Sequence, residues 1–249
     1  MINNPFSLHN KTIFITGASS GIGRAAAIEC SKIGATVVVT GRNNERLNDT
    51  YSQLEGEGHL QFSADLTNSD QMQQLLEFLP ELDGFVVNAG IVKLSPVKSI
   101  KPEDLDRIFQ LNSMIPIMMT RNLVKLKKLK RPSSIVYTSS TAGNYNFSPA
   151  NGMYSSSKAA LNGFMKSAAV DLASKGIRCN SVNPAMIETP MMKLRYISEK
   201  QLEENLKNYP LGRYGTPEEV AYAIIYLLSN ASAWVTGTSL LIDGGLTLN

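Results

Sequence analysis

Short apolar runs rich in β-branched residues alternate along the chain with longer stretches of mixed character. The runs at Lys11–Thr16, Thr36–Thr40, His59–Phe62, Gly84–Asn88, Ser134–Thr138, Ile177–Val182 and Ser239–Ile242 have the length and composition of strands. Between them, Gly21–Ile33, Asp70–Phe78, Pro102–Leu126, Tyr154–Ser174 and Pro217–Leu228 carry helical patterns. Strands separated by helices need crossover connections, which predict a parallel sheet covered on both faces. The segments IFIT, VVVT and FVVN are apolar throughout, as strands buried on both sides should be. The predicted architecture is α/β: a doubly wound parallel sheet in a single domain spanning residues 1–249, with no linker, low-complexity tract or repeat. In such sheets ligands bind beyond the carboxyl ends of the strands, so functional residues should follow the strands.

Composition narrows the function classes. Hydrophobic residues make up 43% of the 249 and charged residues 18%, the balance of a soluble globular protein. A net charge of +3 is too small to argue for nucleic acid. No run approaches the roughly 18 apolar residues that span a bilayer, so no membrane association is expected. The first ten residues, MINNPFSLHN, lack the basic start and apolar core of a secretion signal. Cys30 and Cys179 stand apart, and two cysteines with two histidines in no ligand spacing argue against a metal site. A reducing, cytoplasmic setting is expected.

The first strand runs directly into Thr16-Gly17-Ala18-Ser19-Ser20-Gly21-Ile22-Gly23 and then into the Ala-rich start of a helix. Glycines there permit a tight turn and let the backbone approach a pyrophosphate, whose charge the free N–H groups of the helix start favour. A dinucleotide site for NAD usually places an acid after the second strand to hold the ribose 2′-hydroxyl. This strand ends Val39-Thr40-Gly41-Arg42-Asn43, with no acid and with a cation able to bind a 2′-phosphate. Arg42 could also be a solvated loop arginine, but the missing carboxylate and the present cation favour NADP(H) over NAD(H).

Tyr154-Ser155-Ser156-Ser157-Lys158 opens a small-residue helix, and positions four apart share a helical face. A phenol titrates near pH 10, so proton transfer at neutral pH needs it lowered, and a neighbouring ammonium can do that. Many such spacings are mere surface pairs. Here the fifth strand ends Tyr137-Thr138-Ser139-Ser140, placing a hydroxyl at a carboxyl edge where it can donate to a substrate oxygen. Asn112 stands four residues before Pro116, which has no N–H to offer the Asn112 carbonyl. That kink is either structural or a water station in a proton relay.

Together these residues resemble the short-chain dehydrogenase/reductase family in its compact Rossmann-type form, from the Thr16–Gly23 loop to Trp234-Val235-Thr236-Gly237 and Asp243-Gly244-Gly245. The resemblance implies that Asn112, Ser140, Tyr154 and Lys158 form a catalytic tetrad. Tyr154 would be the acid/base and Ser140 would orient the carbonyl. Lys158 would hold the nicotinamide ribose and depress the tyrosine, while Asn112 would position a relay water. It further implies that Gly17, Ser19, Ser20, Gly21, Ile22, Gly23, Arg42, Asp65, Leu66, Asn88, Ala89, Gly90, Pro184, Ile187 and Thr189 meet the cofactor, with Asp65 at the adenine and Thr189 at the carboxamide. Three departures stand out: Val87-Asn88-Ala89-Gly90 in place of Asn-Asn-Ala-Gly, Asn183-Pro184-Ala185 in place of Asn-Pro-Gly, and one extra residue between Ser140 and Tyr154, expected to bulge within Asn144–Met153.

Residues 188–209 resemble the family's variable substrate lid; Met191, Met192, Leu194, Tyr196 and Ile197 suit an apolar substrate or packing of the lid on itself. The run Lys125 to Arg131 is a solvated helix end or a docking patch for an acidic partner. Arg131 and Lys175 match positions that bind acyl carrier protein in bacterial 3-oxoacyl-carrier-protein reductases. The implied activity is NADP(H)-dependent hydride transfer to or from a carbonyl or secondary alcohol, with a 3-oxoacyl thioester first and other ketones, sugars or steroids next. A nucleotide-sensing protein without chemistry would be expected to have lost part of the tetrad. A homotetramer is expected by the same resemblance.

Overall fold

The computed structural model describes residues 4–192 and 198–248. Leu194, Tyr196 and Ile197 of the expected lid therefore lie outside the described residues.

Seven strands form one parallel sheet: β1 (Thr12–Thr16), β2 (Thr36–Gly41), β3 (Leu60–Ser63), β4 (Leu82–Val87), β5 (Leu129–Thr138), β6 (Ile177–Pro184) and β7 (Ser239–Ile242). Their spatial order is β3-β2-β1-β4-β5-β6-β7. The order reverses between β1 and β4, so the crevice expected of a doubly wound sheet opens above their carboxyl ends. All neighbours pair in parallel, for example Phe14 with Phe85 and Tyr137 with Ser181.

Helices cover both faces. On one, α1 (Gly21–Lys32), α2 (Asn44–Tyr51) and α8 (Pro217–Leu228) pack Ala26, Cys30, Leu47, Val220 and Ile224 over Ile13, Val37 and Val39. On the other, α3 (Ser69–Phe78), α5 (Ile115–Lys125) and α6 (Gly152–Ala173) bury Leu75, Met119, Leu123, Leu161 and Met165 against Phe14, Phe85, Ile135 and Tyr137. The continuously apolar strands are buried on both sides for this reason. Helix starts follow their chemistry: Asn68 caps α3, and Thr216 with Glu219 forms a reciprocal box at the start of α8, where Pro217 fills the first turn.

Three expectations need correction. The single helix expected over Pro102–Leu126 is α4 (Pro102–Phe109), a π-helical turn at Gln110–Met114, and α5. Pro116 cannot donate to the turn behind it, and the chain widens to the Ile115 N–H to Gln110 carbonyl bond just before the proline. The polar segment after β2 folds into α2, and α7 (Glu199–Leu206) forms inside the expected lid; neither was expected as a helix. Finally, β5 begins at Leu129, five residues early, so the basic run is only partly a helix end. Lys128 donates to the Leu79 carbonyl, and Lys130 pairs with Asp83 at 2.7 Å. Among the described residues, no helix is long and apolar enough to cross a membrane.

Candidate active site

A cavity of about 580 Å³ opens at the carboxyl ends of β1, β2, β4, β5 and β6, where the strand order predicts it. At the floor, Thr16 joins the two central loops: its hydroxyl accepts from the Asn88 and Ala89 amides at 3.0 and 3.2 Å, and the Asn88 carboxamide donates to the Thr16 carbonyl at 3.2 Å. Gly17 has φ +67°, and a Cβ there would stand 2.9 Å from the Ala89 Cα. A Cβ on Gly23 would stand 2.4 Å from the Gly17 carbonyl oxygen. These glycines let the loop fold flat against β4 and leave the start of α1 open above it. The residue before α1, Ser20, makes no side-chain cap, and the first turn holds no acid. A turn of this kind fits a pyrophosphate, because neither a Ser20 cap nor a first-turn acid competes for its first amides.

The expected site residues mostly converge here. Gly17, Ser19, Ser20, Gly21, Ile22, Arg42, Leu66, Asn88, Ala89, Gly90, Ser140, Tyr154, Lys158, Pro184, Ile187 and Thr189 line the cavity. Gly23, Asp65 and Asn112 do not. Gly23 lies beneath the loop. Asp65 turns its carboxylate to the Thr67 backbone amide at 2.9 Å and hydroxyl at 2.7 Å. Burial pushes that carboxyl up, but the Thr67 donors and then Arg42 outweigh it and hold the group below its usual range.

Helix α6 places Tyr154 and Lys158 one turn apart, with the Lys158 nitrogen 5.8 Å from the centre of the phenol ring. Both are buried. Lys158 donates to the Thr138 carbonyl at 2.8 Å, and burial lowers its ammonium to about 8. It remains about nine-tenths charged at pH 7. The two serines differ in their attachments. The Ser139 hydroxyl donates to the Lys158 carbonyl at 3.2 Å, fastening α6 to β5. That of Ser140 accepts from the Ala142 amide at 3.2 Å and has only a long contact, 3.4 Å, to the Pro184 carbonyl. The loop Asn144–Asn151 connects the Ser140 turn to α6, and within it Ala150 takes a left-handed φ of 60°.

Asn112 is fully buried in the π turn. Its carboxamide accepts from the Ile91 amide at 2.8 Å and donates to the Ile91 carbonyl at 2.9 Å and to Ser157 at 3.1 Å. Its side chain is thus a clamp between the loop after β4 and α6. The segment after β6 meets the glycine-rich loop at Thr189, whose methyl would be 3.1 Å from a Cβ on Gly21. Met186, Met191 and Met192 line the neighbouring wall. Arg46, in the first turn of α2, also faces the cavity; its signal in the sequence was its position four residues after Arg42, behind the helix-capping Asn43.

A family model described as enoyl-(acyl carrier protein) reductase matches residues 17–247. A 3-oxoacyl-[acyl-carrier-protein] reductase of Thermotoga maritima is 37% identical over 247 residues, covering 97% of this chain and 99% of the relative. The crystal structure of a 3-ketoacyl-(acyl-carrier-protein) reductase from Brucella melitensis, complexed with NADH, superposes with a TM-score of 0.85 at 28% identity, covering 97% of this chain and 100% of that one. A putative NAD(P)-dependent gluconate 5-dehydrogenase from Beutenbergia cavernae, with bound NADP, gives 0.88 at 26% identity over 99% and 100% of the two chains. Likeness of this extent, in sequence and in fold, means that the chain belongs to the short-chain dehydrogenase/reductase family of oxidoreductases.

Proposed function

We propose that this oxidoreductase works with NADP(H) in preference to NAD(H) on a carbonyl or secondary alcohol, and that a 3-oxoacyl thioester is its first substrate class. The observation that carries this reading is the convergence of Tyr154, Lys158 and Ser140 at one part of a cavity that presents Arg42 at another. The bound nicotinamide would supply or accept the hydride. Tyr154 Oη gives its proton to the substrate oxygen in reduction and takes it back in oxidation. The Lys158 cation favours the phenolate, and an ammonium beside the ring lowers the energy of that proton transfer. Ser140 donates to the same substrate oxygen as charge develops on it. Asn112 holds the loop after β4 on α6 and offers its backbone carbonyl to a water leading to Lys158. The remaining lining residues named above, with Gly23 and Asp65 behind them, shape the dinucleotide trough.

Tyr154→Phe tests the reading. Ketone reduction should fall about a thousandfold or more while NADPH binding persists. Reduction at the parent rate would overturn it.

The likeness to acyl-carrier-protein reductases supports a carrier-bound substrate. Arg131 and Lys175, with Lys127, line a second cavity of about 510 Å³ at the amino ends of β5 and β6. Arg131 lies roughly 23 Å along the strand from Thr138 at about 3.3 Å per residue. Docking at that edge would therefore serve the cavity of a neighbouring subunit in a homotetramer. Exposed Met114, Met118 and Val170 on the α5 and α6 side, and fully exposed Trp234 before β7, support such an assembly. Arg131→Glu with Lys175→Glu should slow turnover of the carrier thioester about tenfold and spare small ketones; equal loss on both would refute the docking. The gluconate dehydrogenase likeness favours a sugar ketone as the second reading. We place the enzyme in the cytoplasm and treat residues 1–249 as one unit, with 188–209 as its substrate lid.

A further inference from the structure

The cavity end at β2 contains more positive charge than a single arginine supplies. Arg42 follows β2 directly, and Arg46 reaches the same cavity from the first turn of α2. Both are exposed, and neither guanidinium takes part in any ion pair among the described residues. The acid most able to neutralise them from α2, Asp49, is held by Arg24 at 2.6 Å. Asp65 gives its carboxylate to Thr67 and feels Arg42 only through space, with no ion pair between them. Glu45 is the one acid in the first turn of α2.

The backbone beneath the two arginines is fixed. The Asn43 side chain accepts from the Arg46 amide at 2.8 Å and so starts the helix at that point. One helical turn on, the buried Thr50 hydroxyl donates to the Ala18 carbonyl at 2.9 Å, locking α2 onto the phosphate loop. The Ala18 amide in turn donates to the Thr40 carbonyl at 3.0 Å. Ser19 closes the gap from the loop side, its hydroxyl 3.1 Å from where a Cβ on Gly41 would sit. Two guanidinium groups with no ion pair among the described residues therefore stand on a braced strand-to-helix turn, beside the ribose end of the dinucleotide trough.

We propose that Arg46 is the second cation of the site for the cofactor's 2′-phosphate. Arg42 binds this dianion from the end of β2 and Arg46 from α2. The assignment rests on the NADP(H) reading above and names the residue that completes it. A phosphomonoester offers three oxygens, enough for two planar forks, and each charge-assisted bond is stronger than a neutral one.

The experiment measures binding to the free enzyme by calorimetry, with adenosine 2′,5′-bisphosphate and adenosine 5′-monophosphate as probes. They differ only in the 2′-phosphate. Arg46→Gln should weaken the bisphosphate about tenfold or more and leave the monophosphate within about twofold. Arg46→Lys, which keeps the charge without the fork, should recover part of the loss. Unchanged bisphosphate affinity in Arg46→Gln, with a loss in Arg42→Gln, would overturn the role of Arg46 and leave the NADP(H) reading standing. A parallel loss of both probes in Arg46→Gln would also overturn it, by placing Arg46 at the adenosine. If the wild-type enzyme bound both probes equally, the NADP(H) preference itself would fail, and this proposal with it.

Discussion

At position 158 burial and chemistry pull in opposite directions. The proposed proton transfer needs an ammonium beside the phenol, yet burial lowers this one from 10.5 to about 8, which corresponds to roughly 3 kcal/mol against the cation. The bond to the Thr138 carbonyl offsets only about 1 kcal/mol of that. Because the folded value lies below the ordinary one, the penalty is fully present below about pH 8 and fades as pH rises toward 10.5. Lys158→Met should therefore raise stability by about 2 kcal/mol at pH 7 while abolishing turnover. Urea midpoints at pH 7 and 9.5 check this: the gap should narrow at the higher pH, and a less stable variant at pH 7 would contradict it. Tyr154, Lys158 and Ser140 were legible in the sequence because their signals are local, one helical turn and one strand end. The clamp made by the Asn112 side chain was not. Its partners, Ile91 and Ser157, are 21 and 45 residues away, and nothing at position 112 names them.

Elements with their own start signals and a clear apolar stripe, such as α8, were readable. Helix α2 was not, because Leu47 and Thr50 are its only buried residues and the rest reads as loop. What holds it is the Asn43 cap and a bond to the phosphate loop. The missed helix is also why Arg46 went unnoticed. In the π turn the apolar spacing continues undisturbed, so the proline was the only visible sign of the widening. The turn into α1 makes the sharpest demand on a single residue. Gly23→Ala would push a methyl to 2.4 Å from the Gly17 carbonyl oxygen, which the turn cannot yield without moving off β4. We expect a loss of about 1–3 kcal/mol in stability and of more than about tenfold in adenosine 5′-monophosphate affinity. Thermal melts and titration would read both; parent-like binding would show that the loop tolerates displacement.

Across the whole molecule, the direction of the strands sorts the connections into two sets. Those leaving the carboxyl ends carry the glycine-rich loop, Arg42, Ser140 and the stretch from Ala185 to Met192. Those entering the amino ends carry none of the cavity's lining. The one between α2 and β3 is a polar, exposed stretch with Gly56 and Gly58 at positive φ, ended by His59, whose ring accepts from the Val37 amide at 3.0 Å. A reporter peptide spliced between Glu57 and Gly58 would enter solvent and lengthen the turn by which the Glu55 carbonyl also meets that ring at 2.9 Å; lengthening a loop costs little, about 0.6 kcal/mol per doubling. Such a tagged enzyme should turn over within about twofold of the parent, as steady-state assays would show; a collapse in rate would mean that this rim communicates with the far one. A parallel sheet of this kind thus gives the engineer a blank margin, where handles and labels can be attached without rewriting the chemistry on the opposite side.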